Sequence, residues 1–320
     1  MTENSQKKII SVTGATGFVG QHLISALCQK GYQVKALTRR PPRRHQENMT
    51  AVEWIEGDFH NKQALDRLLQ DSSAVFHLAG AVKGRNLEDF SEANILSVQK
   101  IRDILAHKNH KAHLFLLSSL AAREPHLSHY ASSKRAGEEC LSSSVCEFPW
   151  TIIRPPGIYG PGDLETLKIF KAISYGLAPI PGNRANRASW IYVHDLVQGL
   201  CALIDEETHH QKILNIDDGR KDGYSMEELY DIAAKVMGRK ALKITLPKFA
   251  LNLVAHLNMG FSQVFGYTPM ISPKKVNELY FPDWICRGEH VMTCSPWQPE
   301  KQLEDGLKET FDWYRQNKLL

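Results

Sequence analysis

The sequence predicts an α/β fold in which a doubly wound parallel sheet is followed by a smaller C-terminal lobe. Three observations predict it: a glycine-rich turn near the N-terminus, strand-like runs that alternate with helix-like segments, and the loss of this alternation after Arg154. We therefore expect one domain over residues 1–154 and, over residues 155–320, mainly the C-terminal lobe, with segments around 187–216 returning to the sheet.

The first element is a short apolar strand that runs into three glycines and then a helix, in the sequence KIISVTGATGFVG. Gly14 permits a tight turn with positive φ, Gly17 lets the backbone approach a pyrophosphate, and Gly20 lets the helix pack against its strand. Free N–H groups at the start of that helix attract phosphate charge. A purely structural glycine turn is the alternative, but strand, turn and helix in this order are typical of a Rossmann dinucleotide site.

The sheet is predicted from strand-like runs at Ile9–Val12, Gln33–Leu37, Val52–Ile55, Ala74–Leu78, Leu114–Leu117 and Thr151–Ile153. Helix-patterned segments separate most of these runs, which is the pattern of βαβ units with a parallel sheet. Runs such as AVFHLAG and HLFLLSS do not alternate with polar residues, as expected of strands that helices cover on both faces. Beyond them, SWIYVHDLVQGLCALI predicts one more strand and helix, in the lobe that we expect to bind substrate.

Composition and charge narrow the classes of partner. Hydrophobic residues make up 42% of the chain and charged residues 23%, as in ordinary globular proteins, and a net charge of +4 is too small to indicate nucleic acid. The six cysteines have neither a CxxC pair nor metal-ligand spacing, and the polar residues 1–8 contain no cleavable signal. We therefore expect a small-molecule substrate, no metal, no nucleic acid and a cytoplasmic location, with a homodimer as one permitted state.

The most apolar stretch, Phe249–Phe265, does not have the character of a transmembrane helix. Polar residues interrupt it, namely Asn252, His256, Asn258, Ser262 and Gln263. We therefore expect no integral membrane segment. The interpretation that we favour is an amphipathic helix that covers a core, and a helix that lies on a membrane surface is the alternative.

A tyrosine and a lysine four residues apart indicate chemistry. Tyr130 and Lys134, in HYASSKRAGEE, share one face of a predicted helix. A phenol is a poor base at neutral pH unless a nearby ammonium lowers its pKa, so this spacing suits a tyrosine used as an acid or base. Tyr314 and Lys318 have the same spacing near the C-terminus, where we expect surface residues.

Position in the fold separates the two pairs. The LFLLSS strand precedes Tyr130 and ends in Ser118 and Ser119, at the edge where the carboxyl ends of parallel strands meet ligands. A serine hydroxyl at that edge can bond a substrate oxygen next to the tyrosine. We therefore predict that Tyr130, and not Tyr314, takes part in catalysis.

These motifs together resemble those of the extended short-chain dehydrogenase/reductases, the NAD-dependent epimerase/dehydratase family. TGATGFVG, HLAGA, LLSS, YASSK, RPPGIYGP and YVHDL occur in the family's order and spacing over about the first 200 residues. The resemblance implies that Tyr130 is the catalytic acid or base and that Ser119 orients the reacting carbonyl or hydroxyl. It also implies that Lys134 binds the nicotinamide ribose and lowers the Tyr130 pKa.

The resemblance further implies a set of cofactor contacts. Asp58 and Phe59 match positions beside the adenine, and Ala79–Ala81 match the diphosphate and ribose edge. Pro155–Ile158 match the nicotinamide end, and Asn94 supports the site from the preceding helix. The predicted cofactor-binding residues are Gly14, Thr16, Gly17, Phe18, Val19, Gly20, Arg39, Asp58, Phe59, Leu78, Ala79, Gly80, Ala81, Asn94, Ser118, Tyr130, Lys134, Pro155 and Ile158.

The end of the second strand favours NADP, with NAD as the alternative. NAD-using members of the family have an acidic residue here for the ribose hydroxyls, whereas this chain has Thr38 followed by Arg39 and Arg40. An arginine at this position suits a 2′-phosphate. For these arginines and for Arg43–Arg44, a solvated basic loop or a nucleic-acid patch is the alternative.

Departures from the family pattern favour a reductase. The related sugar-nucleotide 4,6-dehydratases place an Asp-Glu pair after the catalytic Ser or Thr, but here Leu120 and Ala121 follow. Nucleotide-sugar epimerases commonly have an arginine just before the YVHDL-like strand, and Arg187 is one residue out of register for that role. We therefore expect an NAD(P)-dependent oxidoreductase that transfers a hydride between nicotinamide and a carbonyl or hydroxyl substrate. The alternatives are an epimerase with tightly bound NAD and a non-catalytic cofactor-binding scaffold or sensor.

The histidines have structural interpretations. His107, His110 and His113 lack Asp, Glu or Cys at matching spacing, so we expect solvent-facing side chains rather than metal ligands. His77, within the fourth strand, is expected to be buried.

Overall fold

The computed structural model describes residues 7–40, 51–107, 111–143, 146–265 and 272–320. The predictions for residues 1–6, Arg43, Arg44 and His110 lie outside these ranges. The strands are β1 (Ile9–Thr13), β2 (Gln33–Thr38), β3 (Val52–Glu56), β4 (Ala74–His77), β5 (His113–Leu117), β6 (Trp150–Arg154), β7 (Gly157–Tyr159), β8 (Leu177–Pro181), β9 (Arg187–Ala188), β10 (Trp190–Tyr192), β11 (Lys212–Asn215), β12 (Tyr224–Ser225), β13 (Leu242–Leu246) and β14 (Asp283–Trp284).

The helices lie between and after these strands. They are α1 (Phe18–Gln29), α2 (Lys62–Leu69), α3 (Glu88–Ser91), α4 (Ser97–His107), α5 (His129–Ser142), α6 (Leu167–Ser174), α7 (Val193–Ala202), α8 (Met226–Val236), α9 (Lys248–Phe265), α10 (Pro273–Tyr280), α11 (Val291–Cys294) and α12 (Leu303–Gln316). A π-helical turn, Glu92–Leu96, joins α3 to α4, and a 3-10 helix, Leu120–Arg123, follows β5.

Seven parallel strands form the central sheet, in the order β3–β2–β1–β4–β5–β6–β11. The chain builds outward from β1 to β3 and then continues from β4 on the other side of β1, so the predicted doubly wound arrangement is confirmed. The reversal opens a crevice at the carboxyl ends of β1 and β4, which is where such sheets bind ligands. The division of the chain into domains at residue 154 stays a prediction.

Helices bury both faces of the sheet. Phe76 packs into a cluster with side chains of α1 and α7, while its neighbour Val75 points to the opposite face and packs with α4 and α5. Both are fully buried, and burying a side chain of this size contributes about 1.5–3 kcal/mol to the free energy of folding. The apolar runs in the sequence therefore reflect strands covered on two sides.

The prediction that His113 faces solvent is wrong. His113 begins β5 and is buried, with its Nε2 2.8 Å from Thr151 Oγ1 on β6. Burial lowers the pKa of His113 to about 2, so the ring is neutral. The strand starts one residue earlier than its apolar run, and a threonine on the neighbouring strand supplies the polar partner. His77 is buried, as predicted, between Thr13 and Ser97.

The prediction that Tyr314 is a surface residue is also wrong. Tyr314 lies on α12 and is fully buried in a second apolar cluster with Tyr159, Phe170 and Tyr192. Its hydroxyl donates a hydrogen bond to the carbonyl oxygen of Asp163, at 2.6 Å. The sequence pattern missed this contact because Asp163 is 151 residues away in the chain.

We expect Tyr314→Phe to lower the free energy of unfolding by about 1–2 kcal/mol, because the carbonyl of Asp163 loses a buried donor. Urea unfolding followed by circular dichroism measures the change. Tyr175→Phe is the matched control, since Tyr175 is 81% exposed, and it should unfold as the wild type does. Equal stability of the two variants would contradict a structural role for the Tyr314 hydroxyl.

Among the described residues, no helix is long and apolar enough to cross a membrane. The favoured interpretation of α9, a helix that covers a core with its apolar face, is wrong. Large apolar side chains of α9, such as Phe249, Leu257 and Phe265, face solvent.

Candidate active site

The glycine turn after β1 is shaped by close backbone contacts. Gly14 has φ of +69°, and a Cβ at this position would lie 2.6 Å from the backbone nitrogen of Ala79 on the neighbouring strand end. A Cβ at Gly20 would lie 2.1 Å from the Gly14 carbonyl oxygen. Gly17 begins α1 without a side-chain cap, so the first N–H groups of the helix point toward the crevice for an anion to bind. The turn therefore fits a dinucleotide phosphate.

The crevice continues from this turn into a cleft of about 850 Å³. It unites residues that are far apart in the sequence, from the glycine turn, the end of β4, the end of β5, α5 and the loop after β7. The predicted site residues that line it are Gly14, Thr16, Gly17, Phe18, Val19, Gly20, Leu78, Gly80, Ser118, Tyr130, Lys134 and Ile158.

Other predicted contacts lie outside the lining of this cleft. Of the predicted range Pro155–Ile158, Pro156 and Ile158 line the cleft and Pro155 does not. Phe59 packs edge-on against the ring of His77, at 5.5 Å between centroids, and joins the hydrophobic core. Ala79 and Ala81 belong to the loop that touches the glycine turn, and their direct contact with a cofactor stays a prediction.

The side chain of Asn94 fixes the position of this loop through hydrogen bonds to its backbone. Its side chain makes two hydrogen bonds with the backbone of Ala81, at 2.9 and 3.0 Å, and donates a third to Ser133 on α5, at 2.8 Å. A Cβ at Gly80 would lie 2.9 Å from the Asn94 amide oxygen and 3.1 Å from Lys134 Nζ, so glycine is needed there. Asn94 therefore holds the loop and α5 together, which suits the predicted supporting role.

The side chains of Ser119, Tyr130 and Lys134 converge at the carboxyl end of β5. Ser119 lies close enough to Tyr130 for its hydroxyl to act on the phenol pKa, and it caps the 3-10 helix by accepting from the backbone of Ala121. Lys134 is buried, and its ammonium donates to the Leu117 carbonyl oxygen at 2.9 Å. The i, i+4 spacing on α5 places the tyrosine and the lysine on the face that lines the cleft.

Burial dominates the proton affinities of this cluster. It raises the pKa of Tyr130 to about 12, against a smaller lowering by the nearby Ser119 hydroxyl. It lowers the pKa of Lys134 to about 8, although the Glu138 carboxylate opposes this. The expectation of a lowered Tyr130 pKa is therefore not met in this structure, because desolvation of the phenolate outweighs the neighbouring groups. A protonated phenol at neutral pH is suited to donate a proton.

A buried ion pair between Glu138 and Arg154 lies next to this cluster and was not predicted from the sequence. Glu138 follows Lys134 by one helical turn and is almost completely buried. It accepts hydrogen bonds from Ser118 Oγ at 2.6 Å and from Arg154 Nε at 2.8 Å. Glu138 thus ties α5 to the ends of β5 and β6, with Lys134 beside it. The i, i+4 spacing from the lysine was the available sequence signal.

A second missed group comes from α10, about 145 residues further along the chain. The Nζ of Lys275 lies 5.4 Å from the centroid of the Tyr130 ring and pairs with Glu278. Glu278 also accepts from Ser128 Oγ, which caps α5, at 2.6 Å. α10 therefore forms a wall beside the tyrosine, and no local pattern marked it.

Arg39 and Asp58 line a separate depression of about 500 Å³ with Glu56, Gly57 and Asn61. Arg39 is exposed, whereas the Thr38 side chain is buried and accepts from the backbone of Arg40. Asp58 accepts from the backbone nitrogens of His60 and Asn61, which lowers its pKa. The depression lies at the ends of β2 and β3, and its use by a cofactor stays a prediction.

Fold and cleft together define a class of enzyme, the extended short-chain dehydrogenase/reductases, in which a Rossmann turn shares its cleft with a tyrosine and a lysine. The model described as "NAD dependent epimerase/dehydratase family" matches residues 10–217 of this chain. The chain belongs to that family, and it is an NAD-dependent enzyme of the oxidoreductase and epimerase type.

Known relatives differ in their reactions. Ceramide reductase from Caulobacter vibrioides is 35% identical over 307 residues, which cover 96% of this chain and 94% of that protein. CDP-abequose synthase from Salmonella muenchen is 26% identical and covers 84% of this chain and 95% of that protein. UDP-glucuronic acid 4-epimerase from Bacillus cereus, solved with UDP-glucuronic acid and NAD, has a TM-score of 0.74 at 22% identity, over 97% of this chain and 99% of that one. The last comparison shows a shared fold.

Proposed function

We propose that this chain is an NADPH-dependent reductase that converts a ketone on a long-chain lipid into an alcohol. The observation that carries the proposal is the placement of a proton donor, the phenol of Tyr130, in the same cleft as the glycine turn and the Lys134 ammonium. Reduction of a carbonyl needs such a donor, whereas alcohol oxidation needs a phenolate. The nucleotide would be held by the glycine turn and Lys134.

Tyr130, Ser119 and Lys134 would each have a different role in carbonyl reduction. When bound, the nicotinamide supplies a hydride to the carbonyl carbon. Tyr130 gives its proton to the carbonyl oxygen as the C=O bond becomes a C–O–H group. Ser119 bonds that oxygen and orients it, and the Lys134 ammonium in the same cleft favours the phenolate left on Tyr130 until water returns a proton.

The surroundings of Arg187 disfavour the epimerase alternative. Its guanidinium donates to the backbone carbonyl oxygens of Asp222 and Gly223, at 2.6 and 3.1 Å, and lies 3.7 Å from Glu228. Because Arg187 is held by these contacts, it is not positioned to bind the diphosphate of a nucleotide sugar. The lack of this clamp supports a substrate without a diphosphate.

The substrate class is inferred from the most similar of the relatives named above. It is 35% identical over nearly all of both chains, and its name, ceramide reductase, describes a reduction and a lipid with long hydrocarbon chains. The lining of the cleft includes apolar side chains, among them Val82, Leu164 and Trp313. These surfaces suit an acyl or sphingoid chain next to a polar carbonyl.

A coenzyme assay tests the proposal. We expect purified protein to be largely free of nicotinamide and to oxidise one NADPH for each molecule of detergent-solubilised 3-ketoceramide, with the product identified by mass spectrometry. UDP-glucose and UDP-glucuronic acid serve as parallel substrates and should remain unchanged. Copurified NAD together with interconversion of sugar epimers would overturn the proposal in favour of the epimerase.

A further inference from the structure

The helix α9 exposes large apolar side chains that a helix covering a core would bury. Six large apolar side chains face solvent along one side of it, and the three most exposed are 76%, 72% and 61% accessible. They are Phe249, Leu253, Val254, Leu257, Phe261 and Phe265. Their spacing, mostly four residues, places them on one face that runs the length of the helix, about 27 Å.

The opposite face of α9 packs against the protein and carries a mixture of small, polar and apolar residues, with Leu251 and Met259 half-buried on it. Ala255 and Ser262 are fully buried there, and Asn252 and Asn258 are half-buried on the same side. A helix that evolved only to cover a core would bury its phenylalanines and expose its asparagines. The reversed arrangement indicates that the apolar face meets a second apolar medium.

The chain around α9 is strongly basic. Residues 232–277 contain seven lysines and arginines and no aspartate or glutamate. Three of them pair with carboxylates outside the segment, namely Lys235 with Glu304, Lys243 with Glu227 and Asp231, and Lys275 with Glu278. The other four, Arg239, Lys240, Lys248 and Lys274, are exposed. An apolar face flanked by basic residues complements an anionic lipid surface, where the apolar groups enter the acyl boundary and the cations meet the headgroups.

The position of α9 connects this surface to the reaction site. α9 packs against α10, and α10 carries Lys275 beside the ring of Tyr130. A small cavity at this junction is lined by Tyr130, Ser128, Ser272 and Lys275, among others. α9 is therefore connected through α10 to the wall of the cleft beside Tyr130.

We propose that α9 is an interfacial helix that binds the protein to an anionic lipid bilayer and so places the mouth of the Tyr130 cleft at the lipid surface. The idea that this contact delivers a long-chain ketone to the cleft rests on the proposed function. The binding of α9 to the bilayer is independent of the proposed function. A second copy of the chain is a poorer occupant, because a two-fold symmetric contact would bring the basic ends of both copies into one interface.

Vesicle flotation without substrate or coenzyme tests the proposal. We expect the full-length protein to float with phosphatidylglycerol-containing vesicles, to bind pure phosphatidylcholine more weakly, and to lose affinity when NaCl rises from about 0.1 M to about 0.5 M. Leu253→Gln with Leu257→Gln, and separately Phe261→Gln with Phe265→Gln, should each reduce vesicle binding by at least about tenfold. Leu96→Gln, an exposed helical leucine elsewhere, should bind as the wild type does.

The outcomes separate the two proposals. Vesicle binding that is absent, or unchanged in both double variants, would overturn the interfacial helix. So would a dimer in sedimentation velocity that the Leu253→Gln and Leu257→Gln substitutions dissociate, with no binding to vesicles. Failure to reduce a detergent-solubilised ketone by protein that floats normally would overturn the proposed function and leave the interfacial helix supported.

Discussion

Tyr130→Phe should lower kcat/KM for the ketone on the order of 10²–10⁴-fold while leaving the fold and most of the coenzyme affinity intact. The substitution removes only the hydroxyl that supplies the proton, and the aromatic ring still fills its place beside α10. Steady-state NADPH oxidation measures the loss of turnover, and calorimetric titration measures the binding of NADPH.

Neighbouring variants distinguish the roles within the cluster. Ser119→Ala should lower turnover with little effect on coenzyme binding, whereas Lys134→Ala should damage both, since the lysine is predicted to contact the ribose as well as to support the phenolate. Tyr175→Phe removes an exposed hydroxyl and is the matched control. Near-normal turnover by Tyr130→Phe would show that another group donates the proton.

Arg39→Ala should weaken NADPH binding by about 10- to 150-fold and leave NADH binding almost unchanged. The exposed guanidinium lines the depression at the ends of β2 and β3, where a 2′-phosphate would accept a charge-assisted hydrogen bond worth about 1.5–3 kcal/mol. Calorimetric titration of both coenzymes at one ionic strength gives the ratio directly.

A general loss of positive charge must be separated from this specific contact. Arg239→Ala removes an exposed arginine from the C-terminal lobe and should affect neither coenzyme. Equal losses of NADPH and NADH affinity in Arg39→Ala would contradict the assignment of NADP. The cofactor would then be NAD, which the family description names.

Local sequence was sufficient for the sheet and the nucleotide turn. The strands were readable because each is covered on both faces and therefore forms an unbroken apolar run. Gly14 and Gly20 were readable because backbone approaches this close exclude every side chain. Tyr130 and Lys134 were found because a helical turn sets their spacing, and the serines at the end of β5 placed them at the ligand edge.

Tertiary structure decided what depends on contacts between distant segments. Tyr314 was predicted to be a surface residue, but in the folded protein it is buried and bonds to the Asp163 carbonyl. Lys275 reached the Tyr130 ring from a helix that no local pattern linked to the site. The Tyr130 pKa was predicted with the wrong sign because burial, which is a property of the whole fold, outweighs one nearby charge.

The same division explains α9. Its sequence by itself determined an amphipathic helix, because the spacing of apolar residues is a local property. Which face turns toward the protein was decided only by the tertiary structure, since that choice depends on the surface that the helix meets. The asparagines and small residues face inward and the phenylalanines outward, a result that hydrophobic periodicity alone cannot distinguish from its reverse.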